Sequence, residues 1–330
     1  MRRSRTPARE RGAALLAVLL LVAVTGAIAA AAMEKLRLSR AVATNSVALD
    51  QSRAYASGAE QLALLVIDDM ILERPERTTL AGGWNGGVRR VPLPGGGGMA
   101  EARLRDGGNC FNLNSVAEGD PRERLARRNA GVLQFEGLMS LLGVPPAQAR
   151  RIAAAAADWV DSDSLPGPGG AEDSVYASGP EPYRTANTLF ADPGELRAVA
   201  GMTDEVYQRL RPWLCALPVA QLSPINLNTL LPEQAPLLAM LASDQLSIER
   251  ARRVLASRPV NGWGNQIQFW QSEALREVTV PLDVQLQPQL KTEWFAIETR
   301  VTMLDSEFGE EVLVDARLQP LRIAARRWGD

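Results

Sequence analysis

The first part of the chain has the hydrophobic pattern of one long helix. Residues Ala13 to Met33 carry no charged side chain. At about 1.5 Å of rise per residue they span roughly 30 Å, the thickness of a bilayer's hydrocarbon core. Between Glu34 and Glu73 there is no proline and one glycine, and apolar residues recur at helical spacing. The pattern predicts a single helix of about 90 Å that starts in a membrane and continues as an amphipathic rod.

The pattern then changes to a loop, a short strand and a series of helices. Glycines and prolines between Gly82 and Gly98 predict a loop, and alternation over Met99–Asp106 predicts a strand. From Glu118 onwards the spacing is helical. Apolar faces and capping signals predict helices at Val132–Leu142, Pro146–Trp159, after Asp192, after Thr203, at Thr229–Leu241 and at Ile248–Ser257.

After about Val278 the period of the pattern becomes two. Residues Phe295 to Met303 and Val312 to Leu318 alternate, which predicts a hairpin joined by the segment DSEFGEE. The order of long helix, strands, helical block and strands is that of an α+β protein. This order also indicates that the helical block is inserted into a sheet.

Composition predicts the orientation of the chain in the membrane and excludes sites that need histidine. The net charge is −2, and the leader Met1–Gly12 holds five arginines against Glu10, so the remainder is acidic and has no overall attraction for nucleic acid. A positive leader places the N-terminus in the cytoplasm and the residues after Met33 outside it. The chain has no histidine, which removes catalytic triads and HExxH zinc sites. We therefore expect a protein that is not an enzyme.

The opening segment allows two interpretations. The small residues Ala27–Ala32 fit the cleavage site of a Sec signal peptide. Alternatively, a basic leader ending in glycine, followed by an apolar helix that continues as an amphipathic rod, resembles the type IV pilins and pseudopilins. That resemblance implies that a prepilin peptidase cuts between Gly12 and Ala13, with methylation of Ala13. The apolar segment is then kept, first as an inner-membrane anchor and later in a filament core.

Further features narrow the resemblance. Most members of the superfamily carry a glutamate at the fifth mature position, which is Ala17 here. A buried carboxylate is costly unless paired, and a subunit with no neighbour above it needs no such pair. This departure and four motifs resemble the K-type minor pseudopilins of type II secretion systems, the GspK family: CFNLN at Cys110–Asn114, DWVDSD at Asp158–Asp163, AEDSVY at Ala171–Tyr176 and INLNTL at Ile225–Leu230.

The resemblance implies an architecture and a place of action. It implies a pilin-like fold, in which a long N-terminal helix packs on an antiparallel sheet, with an inserted all-α domain. It also implies a tip position on the pseudopilus, a periplasmic globular part, and a complex with I- and J-type minor pseudopilins that starts assembly. The expected segments are a leader at 1–12, a membrane segment at 13–33, the first part of the pilin-like domain at 34–115, the insertion at 116–222, and a helical pair with completing strands at 223–330.

Acidic residues gather in the Gly- and Pro-rich stretch after the second predicted helix. Asp161, Asp163 and Glu172 fall at the first, third and twelfth positions of an EF-hand loop, but Leu165 at the fifth position breaks that pattern. A solvated acidic loop is the alternative. Resemblance to the K family, whose inserted domain binds calcium, favours an irregular calcium site with the ligands Asp161, Asp163, Glu172 and Asp173. Asp158 is a less favoured ligand because it lies within the preceding helix.

Two further patterns remain. Cys110 and Cys215 lie near the two ends of the helical block, which favours a disulfide if the block is an insertion, with two buried thiols as the alternative. The triplet NLN occurs twice, and its last residues, Asn114 and Asn228, are predicted as N-caps or turn residues.

Two rival functions stay open at this point. INLNTL before a helix pair also resembles helix-hairpin-helix modules, so a Sec-exported DNA-binding or DNA-uptake protein is one alternative. The glycine-rich hairpin of that module is missing, however, since ASDQLS stands in its place. A secreted enzyme based on carboxylates is the other alternative, although no paired catalytic site is identifiable. We expect no nucleic-acid partner.

Overall fold

The structure, a computed structural model, describes residues 8–94, 97–178, 181–303 and 306–329. Its first element is helix α1 (Ala8–Glu73), which runs unbroken past the predicted membrane boundary and confirms the long helix. Every described side chain from Gly12 to Val47 is exposed, and Ala48 is the first that is buried. Residues 1–7 of the predicted leader lie outside the described residues.

The second half of α1 lies on one face of an antiparallel sheet. Among the described residues the sheet has five strands, in the order β1 (Val88–Pro92), β2 (Gly98–Asp106), β7 (Trp294–Met303), β8 (Ser306–Asp315) and β9 (Arg322–Trp328). Ile67 and Ile71 of α1 pack in one apolar cluster with Phe295. Ala48 and Ala56 pack in a second cluster with residues of β7 and β8. The predicted α+β fold, a long helix on an antiparallel sheet, is confirmed.

A helical body is built from the chain between two neighbouring strands. Strands β2 and β7 pair along their whole length, down to Asp106 opposite Phe295. The N–H of Gly107 then donates to the carbonyl of Trp294 at 2.8 Å. The chain therefore leaves the sheet at Asp106 and returns beside it at Trp294, and residues 107–293 form the body between these points.

The helical body has one continuous core. Buried residues from Phe111 to Val284 belong to the same apolar cluster, with no break at residue 222. Its short strands and helices are β3 (Phe111–Asn112), β4 (Ala117–Asp120), β5 (Arg124–Arg127), α2 (Asn129–Leu141), α3 (Pro146–Val160), α4 (Asp173–Tyr176), α5 (Asp204–Leu210), β6 (Leu214–Cys215), α6 (Ala235–Ala239), α7 (Ile248–Ala256), α8 (Gln266–Trp270) and α9 (Leu282–Leu286).

Several predicted elements are confirmed and others differ. Asp192 forms the predicted capping box with Glu195, and Thr203 caps α5. The helix predicted at Thr229–Leu241 is wrong as one element, because the chain forms a 3-10 turn at Pro232–Gln234, then α6, then another 3-10 turn. Prolines are the physical reason, since a ring in place of an N–H disfavours a long helix interior.

The strands also differ from the predicted pattern. The segment DSEFGEE was expected to be a connection, yet β8 already begins at Ser306, within it. The reason is Phe308, which alternates with polar neighbours and is buried in the cluster beside β7. Strands β1 and β9 were not predicted. Every residue of β1 is exposed, so it carries no alternation of buried and exposed positions.

The two NLN triplets share two kinds of hydrogen bond. In each, the first asparagine accepts from the N–H two residues on, Asn112 from Asn114 and Asn226 from Asn228. The side-chain amide of Asn114 bonds both the N–H and the carbonyl of Phe190, at 2.7 and 3.0 Å. Asn228 bonds Trp263 in the same way, at 2.6 and 3.2 Å.

This geometry corrects the N-cap role expected for the last asparagine of each triplet. Asn112, and not Asn114, caps the 3-10 helix Leu113–Val116. Asn114 lies inside that 3-10 helix, whereas Asn228 lies in a turn, as one of the two expected roles has it. Both side chains also bridge their triplet to a distant loop. Sequence distance hid this role, because the partners lie 76 and 35 residues away.

Candidate functional site

The acidic loop starts at the end of α3 and is held against strand β5. Asp161 ends the helix as its C-cap. Ser162 then exchanges two hydrogen bonds with Leu125, both at 2.9 Å. The glycine-rich part of the loop folds over Asp158, whose Oδ2 accepts from the N–H of Gly167 at 3.1 Å. A side chain at Gly170 would collide with the Asp158 carboxylate, so this approach requires glycine.

Three of the four predicted ligands come together. One oxygen each of Asp161, Asp163 and Glu172 lies within 4.8 Å of the other two. Asp161 and Glu172 are buried, whereas Asp163 is exposed and opens the cluster to solvent. Within the described part of the chain, Asp161 Oδ1 and Glu172 Oε1 are buried without a hydrogen-bond partner.

The electrostatics of this cluster are unfavourable without a cation. Burial, followed by the charges of Asp163 and Asp158, raises the pKa of Asp161 to about 6. Burial also raises the pKa of Glu172 to about 7, with a further rise from the neighbouring carboxylates and an opposing effect of the Thr185 hydroxyl. Buried carboxylates with unused oxygens are the ligands that a hard divalent cation such as calcium prefers, so the residues fit that ion.

The second candidate surface is the exposed part of α1. Gly12–Glu73 is the helix in the described residues that is long and apolar enough to cross a membrane, with a mean hydropathy of 2.6 over its most apolar window. None of that window is buried against the rest of the protein. Gly12 and Ala13, the expected processing site, lie within this helix and are exposed.

Comparisons with known proteins agree on one family. Models of type II secretion system protein K match residues 109–219 and 225–292. Type II secretion system protein K of Pectobacterium carotovorum is 34% identical over 322 residues, which cover 97% of each chain. The Klebsiella pneumoniae protein of that name is 35% identical, also over 97% of each.

The chain belongs to the type II secretion system protein K family. The resemblance drawn from the leader and the four motifs is thereby confirmed, and the protein is a minor pseudopilin of that system. A crystal structure of the GspK-GspI-GspJ complex from enterotoxigenic Escherichia coli matches with a TM-score of 0.75 and 30% identity. The match covers 88% of this chain and 99% of the other.

In this protein K family member, the fourth predicted ligand lies apart from the cluster. Asp173 Oδ1 accepts from both the N–H and the hydroxyl of Thr185, each at 3.0 Å. The same hydroxyl lies 3.2 Å from Glu172 Oε2, so its single proton is shared between the two carboxylates. Asp173 therefore positions Thr185 beside Oε2 of Glu172, whereas Oε1 of Glu172 has no hydrogen-bond partner among the described residues.

Asp158, which the sequence does not favour as a ligand, also acts on the acidic cluster. It is 1% exposed and its charge acts on both Asp161 and Glu172. Burial raises its own pKa. A signal was available, because residues three apart on a helix lie on one face, which places Asp158 beside Asp161.

The two cysteines are bonded to each other in the structure. Cys110 and Cys215 form a disulfide with a Cα–Cα distance of 5.8 Å across 105 residues. Beside it, β3 and β6 pair in parallel, with Asn112 opposite Cys215. The bridge therefore joins the start of the helical body to the segment that follows α5.

Proposed function

We propose that the protein is the tip subunit of the pseudopilus and joins I- and J-type minor pseudopilins before the filament grows. The observation that carries this proposal is the first half of α1, Gly12 to Val47, which is exposed throughout and whose residues Ala13–Met33 carry no charge. It is continuous with a second half that is fixed to the sheet, so helix packing in one subunit is transmitted to its body. The matched structure is a complex of the three corresponding proteins.

The proposed topology is a single inner-membrane span with a cytoplasmic N-terminus. Cleavage by the prepilin peptidase falls between Gly12 and Ala13, the new N-terminus is methylated, and the globular part stays in the periplasm. Ala17 leaves the first turns of the mature helix without a carboxylate. A filament subunit that lacks this charge recruits no partner above it, which suits a tip position.

The proposed role is structural and involves neither catalysis nor nucleic acid. The helical body at 107–293 is an insertion in a pilin-like domain made of α1 and the sheet. Its bulk obstructs addition of a further subunit at the tip. The acidic composition after the leader gives no general attraction for DNA phosphates.

Mass spectrometry of the mature N-terminus tests the topology. Wild-type chain, produced together with its prepilin peptidase and the I- and J-type proteins, should begin with methylated Ala13 and co-purify with both. Gly12→Ala should remain uncut, whereas the control Gly26→Ala, at an equally open helix position, should be processed normally. A mature protein that begins near residue 31 would refute the proposal in favour of a Sec signal.

We further propose that Asp161, Asp163 and Glu172 hold a calcium ion. The ion would supply positive charge to buried carboxylates that otherwise repel one another, and so fix the loop between α3 and α4. Their unsatisfied buried oxygens support this proposal.

Thermal unfolding in detergent micelles tests the calcium site. Calcium added to chelator-treated protein should raise the melting temperature, and Asp163→Ala should abolish the rise. Glu181→Ala, an exposed acid nearby in sequence, should keep it. A wild-type melting temperature that does not respond to calcium would rule out the site.

A further inference from the structure

A guanidinium group stands beside the acidic cluster. Arg127, at the end of strand β5, places Nη1 3.9 Å from Oδ1 of Asp158. The side chain of Arg127 is a quarter exposed and that of Asp158 is 1% exposed. Its position follows from the two hydrogen bonds between Ser162 and Leu125, which press β5 against the start of the acidic loop.

The pair does not form a hydrogen bond. Charge-assisted N–H···O contacts close to about 2.7–2.9 Å, well below the observed separation. In the described part of the chain, both Nη1 of Arg127 and Oδ1 of Asp158 are buried without a partner. Gly167 lies against both, since a Cβ added there would stand 2.8 Å from the nitrogen and 3.0 Å from the oxygen.

Within the described residues, no other carboxylate lies within ion-pair distance of Arg127. The neighbouring Arg128 pairs with Glu118 instead. Arg127 is therefore the cation that the fold itself supplies to the acidic cluster, and its charge acts on Asp161 as well as on Asp158.

We propose that Arg127 is a resident counter-ion that sets the calcium affinity of the cluster. This inference rests on the proposed calcium site. Without the ion, the guanidinium offsets part of the carboxylate charge and keeps the loop folded. A bound divalent ion is repelled by the same fixed positive charge. Because like charges repel one another more strongly where water is partly excluded, Arg127 makes binding weaker and more readily reversible than the carboxylates alone would.

Calorimetric titration of full-length, chelator-treated protein with calcium chloride in detergent micelles tests the role. Arg127→Gln should bind calcium about tenfold more tightly than wild type, an effect of the size expected for one nearby charge at a partly screened site. Arg127→Lys keeps the charge and should stay close to the wild-type affinity. Arg124→Gln, an exposed arginine on the same strand, is the matched control and should not change affinity.

The outcomes separate this inference from the one on which it rests. An unchanged or weaker affinity of Arg127→Gln, in a protein with wild-type circular dichroism, would overturn the role of Arg127 alone. Absence of calcium binding by the wild type would overturn both proposals. Arg127→Met, which keeps the alkyl stem without the charge, provides the same comparison if the glutamine variant does not fold.

Discussion

Asp106 is the carboxylate that connects the sheet to the helical body. It ends β2 and is 5% exposed. Its Oδ2 accepts from the hydroxyls of Thr229 and Thr292, at 2.6 and 2.5 Å. Its Oδ1 accepts from the N–H of Gly108 at 2.9 Å. One side chain therefore holds the strand end, the second NLN segment and the segment before β7, which makes it a residue that stability depends on.

The stability contributed by Asp106 should depend on pH. Burial raises the pKa of this carboxyl above its ordinary value, against the opposing hydrogen bonds from the two threonines. A raised folded-state pKa means that the folded protein binds the proton more tightly than the unfolded chain does. The resulting contribution to the free energy of unfolding is present at low pH and is lost as pH rises through the folded-state pKa. Each unit of separation between folded and unfolded pKa is worth about 1.4 kcal/mol.

Urea denaturation of wild type and Asp106→Asn at several pH values measures this dependence. Asparagine does not titrate, so the difference in unfolding free energy isolates the carboxyl group. Wild type should be most favoured relative to the variant below the ordinary aspartate pKa of about 3.9 and should lose that advantage as pH rises. A difference that is constant, or that grows with pH, would contradict the expected direction.

The acidic site shows what residue-level reasoning can and cannot reach. Spacing and residue type were enough to place Asp161, Asp163 and Glu172 in one group. They were not enough for Asp173, because its bond to Thr185 depends on how the loop after α4 returns. Arg127 could not be predicted for the same reason. It precedes Asp158 by 31 residues, and β5 brings it to the site only in the folded protein.

At the element scale, α1 contacts the sheet through small apolar side chains and through one buried ion-pair network. The alanines Ala48 and Ala56 form much of the buried helix face and offer little to fix its rotation. Glu60 of α1, by contrast, is 2% exposed and accepts from Arg326 of β9 at 2.5 Å. Arg326 also pairs with Glu310 of β8 at 3.0 Å. This triad ties the helix to the last two strands at a defined register.

Removal of Arg326 should destabilise the protein. Arg326→Ala leaves two buried carboxylates next to each other without a counter-charge, and loss of one member of a buried pair costs about 3–5 kcal/mol. Because the guanidinium is 36% exposed, we expect a value near or below the lower end, about 2–3 kcal/mol. Chemical denaturation measures it.

The control for this change lies on the same strand. Arg322→Ala removes an exposed arginine of β9 and should change the unfolding free energy by less than about 1 kcal/mol. Equal losses of unfolding free energy for the two substitutions would show that the triad does not fix α1. The loss would then reflect removal of any arginine from β9.

Elements could be predicted where apolar residues recur at regular spacing in the sequence. The long helix, β2, β7 and α7 follow clear periods and were found close to their predicted positions. The edge strand β1 has no buried residue, and its hydrogen bonds to β2 alone make it a strand. Strand β9 pairs with β8 through a register irregularity beside Leu313 and Val314, which further obscures any alternation.

On the scale of the whole molecule, the disulfide and the buried asparagine network both hold together distant segments of the helical body. The disulfide closes 105 residues of the helical body, while Asn112 and Asn114 bond the carbonyls and N–H groups of segments more than 70 residues away. Both reduce the conformational freedom of the long segment that leaves the sheet and returns to it.

Loss of the disulfide should therefore lower stability substantially. For a closed loop of this length the chain-entropy model gives about 4–5 kcal/mol, as an upper value. The double variant Cys110→Ser/Cys215→Ser should unfold at lower urea than wild type, and wild type in reductant should approach the variant. Thiol titration of denatured wild-type protein provides the check, since equal thiol counts with and without reductant would show that no bridge is present.

The sequence by itself determined the local features of this protein: its membrane-length apolar helix, the helical and alternating segments, the capping signals, and an acidic loop with ligand chemistry. These depend on residues close together in the chain, where period and residue type act directly. Only the tertiary structure decided that the insertion covers residues 107–293 between two paired strands. It also decided that Asp106 and the asparagines join the two parts and that Arg127 lies beside Asp158. Such contacts bring together residues far apart in the chain, and their energy comes from burial that no local pattern records.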